Sequence, residues 1–266
     1  MRTLLAGWVL LALAGPANVA PAEGRCDSPD NETRVRGDKE CLVIRTFRPA
    51  SPGDAPKLLV FIHGDVSSGG AADYIYERAL EAVTDGRLVV ALLRPGYFDS
   101  AGNQSSGDNF NRQDSYTKHN VDAIAATLKA LREHHKASHL ILVGHSGGAA
   151  ISGVILGRHP GVADAAVLAA CPCFIAEWRA GRRRWMQSLS PDEVIKQVPV
   201  ATRVVALTGD ADDNTRPILA RDYVKALAKR GVPARFELVP GAGHNDVVRR
   251  PELRSAIDEV IAQLGR

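Results

Sequence analysis

Gly144-His145-Ser146-Gly147-Gly148 follows directly on the apolar run Leu140-Ile141-Leu142-Val143. A G-x-S-x-G segment at the point where a buried strand gives way to a helix is a nucleophile elbow. The serine sits on a sharp turn with strained backbone angles, and glycines flank it because a Cβ would collide with the adjoining strand and helix. The hydroxyl of Ser146 is then held out into a cleft. A serine hydroxyl is a poor nucleophile at neutral pH unless a base takes its proton during attack, and that base needs a carboxylate to fix its tautomer. Both types occur downstream, each after its own strand-like run. Val204-Val205-Ala206-Leu207 leads into Thr208-Gly209-Asp210-Ala211-Asp212-Asp213, and Arg235-Phe236-Glu237-Leu238-Val239 leads into Pro240-Gly241-Ala242-Gly243-His244. His244 is the expected base, and Asp210, Asp212 and Asp213 are the candidate acids.

The elements that must position these residues alternate along the chain. Strands are expected at Cys41 to Phe47, Lys57 to Ile62, Arg87 to Leu93, 140 to 143 and Ala165 to Ala170, besides the two runs above. Helices are expected at Asp73 to Val83, Val121 to His135, Ala149 to Leu156, Arg221 to Lys229 and Glu252 to Leu264, the last opening near Pro251. This alternation is that of an α/β protein with a mostly parallel central sheet and helices on both faces. Two stretches, Arg94 to Thr117 and Cys171 to Pro199, are too long or too polar to be simple connectors. Both leave carboxyl ends of strands, the edge where such sheets bind ligands, so substrate contacts are expected there.

In serine, acid, histidine order, and with the acid and histidine on loops after late strands, the chain resembles the α/β-hydrolase family from about Lys57 to its C-terminus. The resemblance implies an α/β-hydrolase fold with a small cap or none. It implies Asp212 as the acid, since Gly209 to Asp212 matches the family's G-x-x-D pattern, with Asp213 as runner-up and Asp210 as a loop or capping residue. The strand Lys57 to Ile62 ends in His63-Gly64-Asp65, similar to the His-Gly turn that supplies half of the family's oxyanion hole. By that likeness the backbone N–H groups of Asp65 and Gly147 would receive the developing oxyanion. His63 then orders its loop by hydrogen bonding and takes no part in proton transfer. The Gly-His-Ser-Gly-Gly elbow also resembles that of the prolyl-oligopeptidase-like branch, here without the propeller domain of that branch.

Residues 1–22 read as a signal peptide, with Arg2 before an apolar stretch from Leu4 to Ala14 and small residues at Ala20 and Ala22. Residues 23–266 would then form one exported domain, periplasmic or secreted, with no stable membrane insertion once the leader is gone. The formal charge of +3, with 33 basic residues against 30 acidic, gives no reason to expect nucleic acid as a partner. The basic run Arg179 and Arg182-Arg183-Arg184 lies among Phe174, Trp178, Trp185 and Leu189, which recur at helix-like spacing. The expected arrangement is a solvated helix face opposite a buried one.

Four cysteines in an exported chain invite disulfides. Cys26 with Cys41 is the preferred pair, because it would pin the N-terminal segment to the first expected strand. Cys171-Pro172-Cys173 is open between a bridge across one residue and two free thiols. No metal and no cofactor are expected, since the eight histidines form no Cys-His array.

The activity these features point to is that of an exported serine hydrolase, cleaving esters of small soluble substrates through an acyl-enzyme. Hydrolysis of amides or short peptides is the runner-up. A hydrolase-like binding protein without catalysis is the alternative of another class.

Overall fold

The computed structural model describes Cys26 and residues 29–265; the signal-peptide reading of residues 1–22 lies outside the described residues. An eight-stranded sheet forms the centre, in the order β1-β2-β4-β3-β5-β6-β7-β8. Its strands are β1 (Arg34–Gly37), β2 (Glu40–Phe47), β3 (Lys57–Ile62), β4 (Arg87–Leu92), β5 (His139–His145), β6 (Ala165–Ala169), β7 (Arg203–Gly209) and β8 (Ala234–Val239). From β4 through β8 every pairing is parallel, while β1 and β2 run antiparallel at one edge. The short β1 carries no alternation long enough to read from sequence, and it forms because β2 offers it a hydrogen-bonding edge.

Side chains alternate across the sheet and feed two separate cores. Leu58, Val60 and Ile62 of β3 join one, Leu59 and Phe61 the other. The first core is closed by α2 (Lys118–His134), α3 (Gly147–Arg158) and α5 (Pro217–Lys229), the second by α1 (Ile75–Glu81) and α6 (Pro251–Leu264). Helices therefore cover both faces of a mostly parallel sheet, the α/β-hydrolase arrangement expected. Several boundaries shift by a few residues. Helix α2 starts earlier than the apolar pattern does, because the Thr117 hydroxyl accepts from the Asn120 N–H at its N-terminus. Helix α5 starts at Pro217, where a missing N–H costs nothing.

One expectation is corrected. Residues 174–189 do not form a helix with a solvated face: a single turn, α4 (Ile175–Trp178), is followed by bends and turns. Gly181 adopts a left-handed φ of 74°, and three successive arginines follow it, so neither backbone nor charge favours continuing the helix.

Both cysteine pairs are bridged, Cys26 to Cys41 and Cys171 to Cys173. The second pair is buried in the first core directly after β6. Folding also gathers Glu32, His134 and His135, whose ligand-type atoms lie within 4.8 Å of one another, though Glu32 is already paired with Arg48. No helix among the described residues is long and apolar enough to cross a membrane. The Cys26–Cys41 bridge spans 15 residues of sequence, and closing such a loop contributes about 3 kcal/mol. Cys26→Ser together with Cys41→Ser is expected to lower the urea unfolding free energy by about that amount, and a loss under about 1 kcal/mol would show that the N-terminal segment is not anchored by the bond.

Candidate active site

Ser146 stands between β5 and α3 with φ 53° and ψ −118°, a conformation costly for any residue with a side chain. Packing on both sides enforces it. A Cβ at Gly148 would lie 2.1 Å from the Ile62 carbonyl oxygen, and one at Gly144 would lie 2.5 Å from that of Gly148. The absence of these two Cβ atoms lets α3 press against β3 and β5. The Ser146 N–H donates to the Ala169 carbonyl at 2.8 Å, which ties the turn to the neighbouring strand.

The side chains the sequence pointed to meet here. Ser146 Oγ donates to His244 Nε2 at 3.0 Å, and His244 Nδ1 donates to Asp212 Oδ2 at 2.9 Å. Asp212 is buried at the end of the loop that follows β7, while Asp213 and Asp210 are exposed. Asp210 accepts from the Gly241 N–H, a loop contact. The Asp212 carboxylate also accepts from the N–H groups of Asn214 and Thr215 and from the Thr215 hydroxyl. Burial alone would raise its pKa, but the hydrogen bonds from His244 and Thr215 hold it below the ordinary value.

A second set of contacts was not visible in sequence. The Gly64 N–H donates to the Tyr74 hydroxyl, the hydroxyl donates to His145 Nδ1, and His145 Nε2 donates to the His244 carbonyl. This chain joins the turn after β3, the elbow and the histidine loop through 2.7, 2.7 and 3.0 Å contacts. Burial, then the neighbouring His244, pushes the His145 pKa down to about 4, so its ring is neutral and its two nitrogens keep distinct roles.

Behind the turn after β3 lies a buried ion pair. Arg94 donates to Asp65 Oδ1 at 2.9 Å, and the Tyr116 hydroxyl donates to Asp65 Oδ2 at 2.7 Å. A Cβ at Gly147 would sit 2.3 Å from the Asp65 carboxylate, so a glycine after Ser146 leaves room for this cluster. Val66 follows with a left-handed φ of 48°, which turns the loop sharply beside Ser146. His63 is fully buried, accepting from the Arg94 N–H and contacting the Gly64 carbonyl, the structural role expected of it. Asp65 lines the cavity over Ser146, and Gly147 opens α3 beside it.

That cavity holds about 780 Å³. Both long segments reach it, Arg112 and Gln113 from the loop after β4, and Trp178, Arg179, Arg182 and Trp185 from the segment after β6. Trp178 donates its indole N–H to the Asn214 carbonyl, and the Asn214 amide reaches His244 Nε2 at 3.3 Å. The segment after β6 is thus fastened to the loop that carries Asp212.

Residues 97–261 match the model of the prolyl oligopeptidase family. The chain belongs to that family. It is a serine hydrolase, an esterase or a peptidase. A comparison with curated protein sequences finds no match. Among solved structures it is similar to Est1E from Butyrivibrio proteoclasticus with ferulic acid bound (15% identity, TM-score 0.63, covering 86% of this chain and 99% of that one). It is also similar to the esterase Pf2001 of Pyrococcus furiosus, at 13% identity and TM-score 0.66, over 86% of this chain and 90% of the other. The acylaminoacyl peptidase of Pyrococcus horikoshii matches at 14% identity and TM-score 0.65, over 86% of this chain but 40% of its own. At such identities the likeness is one of fold.

In this hydrolase the Arg94–Asp65 pair is buried, so deleting one partner strands a charge. Arg94→Met is expected to cost about 3–5 kcal/mol in urea unfolding, with part recovered when Asp65→Asn is added; a cost near zero would mean the pair is not buried in solution. Buried His145 and His63 and half-buried His135 all have pKa values below the ordinary 6.5, at about 4 for His145 and His135. The unfolded chain therefore binds more protons between pH 6.5 and 4, so stability falls as pH drops through that window. His145→Gln should flatten the pH dependence of the urea midpoint there, and an unchanged slope would place that ring in solvent.

Proposed function

We propose that this serine hydrolase cleaves esters of small soluble substrates through an acyl-enzyme, with Ser146 as nucleophile, His244 as general base and acid, and Asp212 as the orienting carboxylate. The observation that carries the reading is the hydrogen-bonded run from Ser146 Oγ through the His244 ring to buried Asp212, starting on the strained elbow turn. Ser146 Oγ attacks the ester carbonyl carbon while its proton passes to His244 Nε2. The carbonyl oxygen becomes an oxyanion that receives the N–H groups of Asp65 and Gly147, each such donor being worth about 3 kcal/mol of barrier. The imidazolium, stabilised by Asp212, protonates the departing alkoxide as the C–O bond breaks. Water then attacks the acyl-enzyme, losing a proton to His244, and the acid leaves with Ser146 Oγ reprotonated.

The likeness to two esterases along nearly their whole length supports ester hydrolysis, as does a cavity open over the elbow. Peptide or amide hydrolysis is the second reading. The family model and the likeness to an acylaminoacyl peptidase favour it. Export is part of the proposal: residues 1–22 have signal-peptide composition, and two disulfides suit an oxidising compartment.

A fluorophosphonate probe is expected to label the protein and not Ser146→Ala; equal labelling of both would remove Ser146 as nucleophile. Asp212→Asn is expected to lower kcat on a short acyl nitrophenyl ester about ten-thousandfold, whereas Asp213→Asn changes it little. Comparing kcat/KM on such esters with blocked peptide anilides separates the two readings, and a large preference for anilides would overturn the first.

A further inference from the structure

The cavity over Ser146 is walled by four arginines from three separate parts of the chain: Arg112 from the loop after β4, Arg179 and Arg182 from the segment after β6, and Arg249 from the turn after His244. Overall charge does not anticipate this, since basic and acidic residues nearly cancel. The carboxylates nearest Ser146 are already engaged by other groups. Asp65 is engaged by Arg94 and Tyr116, and Asp212 by His244 and Thr215. None of the four arginines has an ion-pair partner among the described residues.

Two of the four are held in place without being neutralised. Arg112 donates to the carbonyls of Val66 and Gly70 at 2.8 and 2.7 Å, which fixes its guanidinium beside the turn after β3. Arg179 lies 5.3 and 5.2 Å from the ring centroids of Trp178 and Trp185. Burial there, and then the neighbouring Arg182, pushes the Arg179 pKa below its ordinary value. Like charges crowded around one partly desolvated cavity raise each other's energy, and an entering anion relieves that repulsion.

We propose that the cavity accepts esters bearing a small anionic group, carboxylate or phosphate in type, away from the scissile bond. The guanidinium groups of Arg112, Arg179, Arg182 and Arg249 receive the anion, and the indoles of Trp178 and Trp185 form the apolar wall beside it. The inference rests on the serine-hydrolase reading of the same cavity and adds the class of substrate. Guanidinium suits the task because its planar fork of donors matches two oxygens at once and its charge persists at any working pH. Field focusing between low-dielectric walls also predicts faster capture of anions, with a dependence on salt.

The test compares mono-4-nitrophenyl adipate and 4-nitrophenyl 4-phosphonobutanoate with the uncharged methyl 4-nitrophenyl adipate, reading nitrophenolate release. At low ionic strength kcat/KM is expected to be about tenfold or more higher for at least one anionic ester, and salt at about 500 mM should erase most of the difference. The phosphonate and carboxylate arms show which anion the site favours. In Arg182→Gln/Arg249→Gln, whose side chains are exposed and whose folding is checked by circular dichroism, the anionic-to-neutral ratio should fall by about tenfold. A wild-type ratio near one, or a ratio unchanged in the variant, would overturn the inference. Independently of turnover, tryptophan fluorescence of Ser146→Ala is titrated with monophenyl adipate and with methyl phenyl adipate. Saturable, salt-sensitive binding of the charged ester alone supports the subsite, and equal or absent binding of both refutes it. Binding of the anion with no turnover by the wild type would sink the hydrolase reading and leave the subsite standing, whereas turnover without discrimination would do the reverse.

Discussion

The hydrogen bond from Ser146 Oγ to His244 Nε2 joins residues 98 apart in sequence, and the rest of the site is arranged so that this contact can exist. A serine on an ordinary helix or strand would point along the element. Here the positive φ of Ser146 aims its hydroxyl outward, and the conformation persists because α3 packs against β3 and β5 with no Cβ between them. The cost of the turn is met by burial across the whole sheet, which is why the elbow occurs at the centre of the molecule and not at its edge.

Holding the other half of the contact requires control of a loop. His244 lies beyond the last strand, on a segment with no regular structure, and its position is set from both ends of the ring and from its own backbone. Asp212 and Thr215 hold Nδ1, and His145 holds the backbone carbonyl. Because His145 is the residue before Ser146, the elbow itself supports the histidine loop, and Tyr74 links both to the turn that carries Asp65. Three loops from different strands are thereby fixed to one another by neutral hydrogen bonds, which avoids the desolvation cost that further charges would bring.

Charge is handled differently below and above the reacting atoms. Below, Arg94 and Asp65 neutralise one another in the interior, with Ser115 accepting from Arg94 and Tyr116 donating to Asp65. Above, Arg112 faces carbonyls and Arg179 faces indoles, and neither has an ion-pair partner among the described residues. A nearly balanced chain can thus present a local field of one sign, because folding sorts charges by position.

Much of the candidate site was legible along the chain. Glycines around Ser146, strand-like runs before Asp212 and His244, and the His-Gly turn after β3 are local signals whose meaning depends on a few neighbours. The alternation of strands and helices followed from apolar periodicity, which reflects burial on a repeating surface. What the chain could not reveal was any partnership between distant polar groups. Nothing local distinguishes Arg94 or Tyr74 from surface residues, and the helix-like spacing of Trp178 and Trp185 misled because Gly181 and the arginines after it break the helix. The β1 strand and the arginine-lined cavity have the same origin. They depend on which edges and loops meet in space, and sequence encodes that only through the packing of the entire sheet.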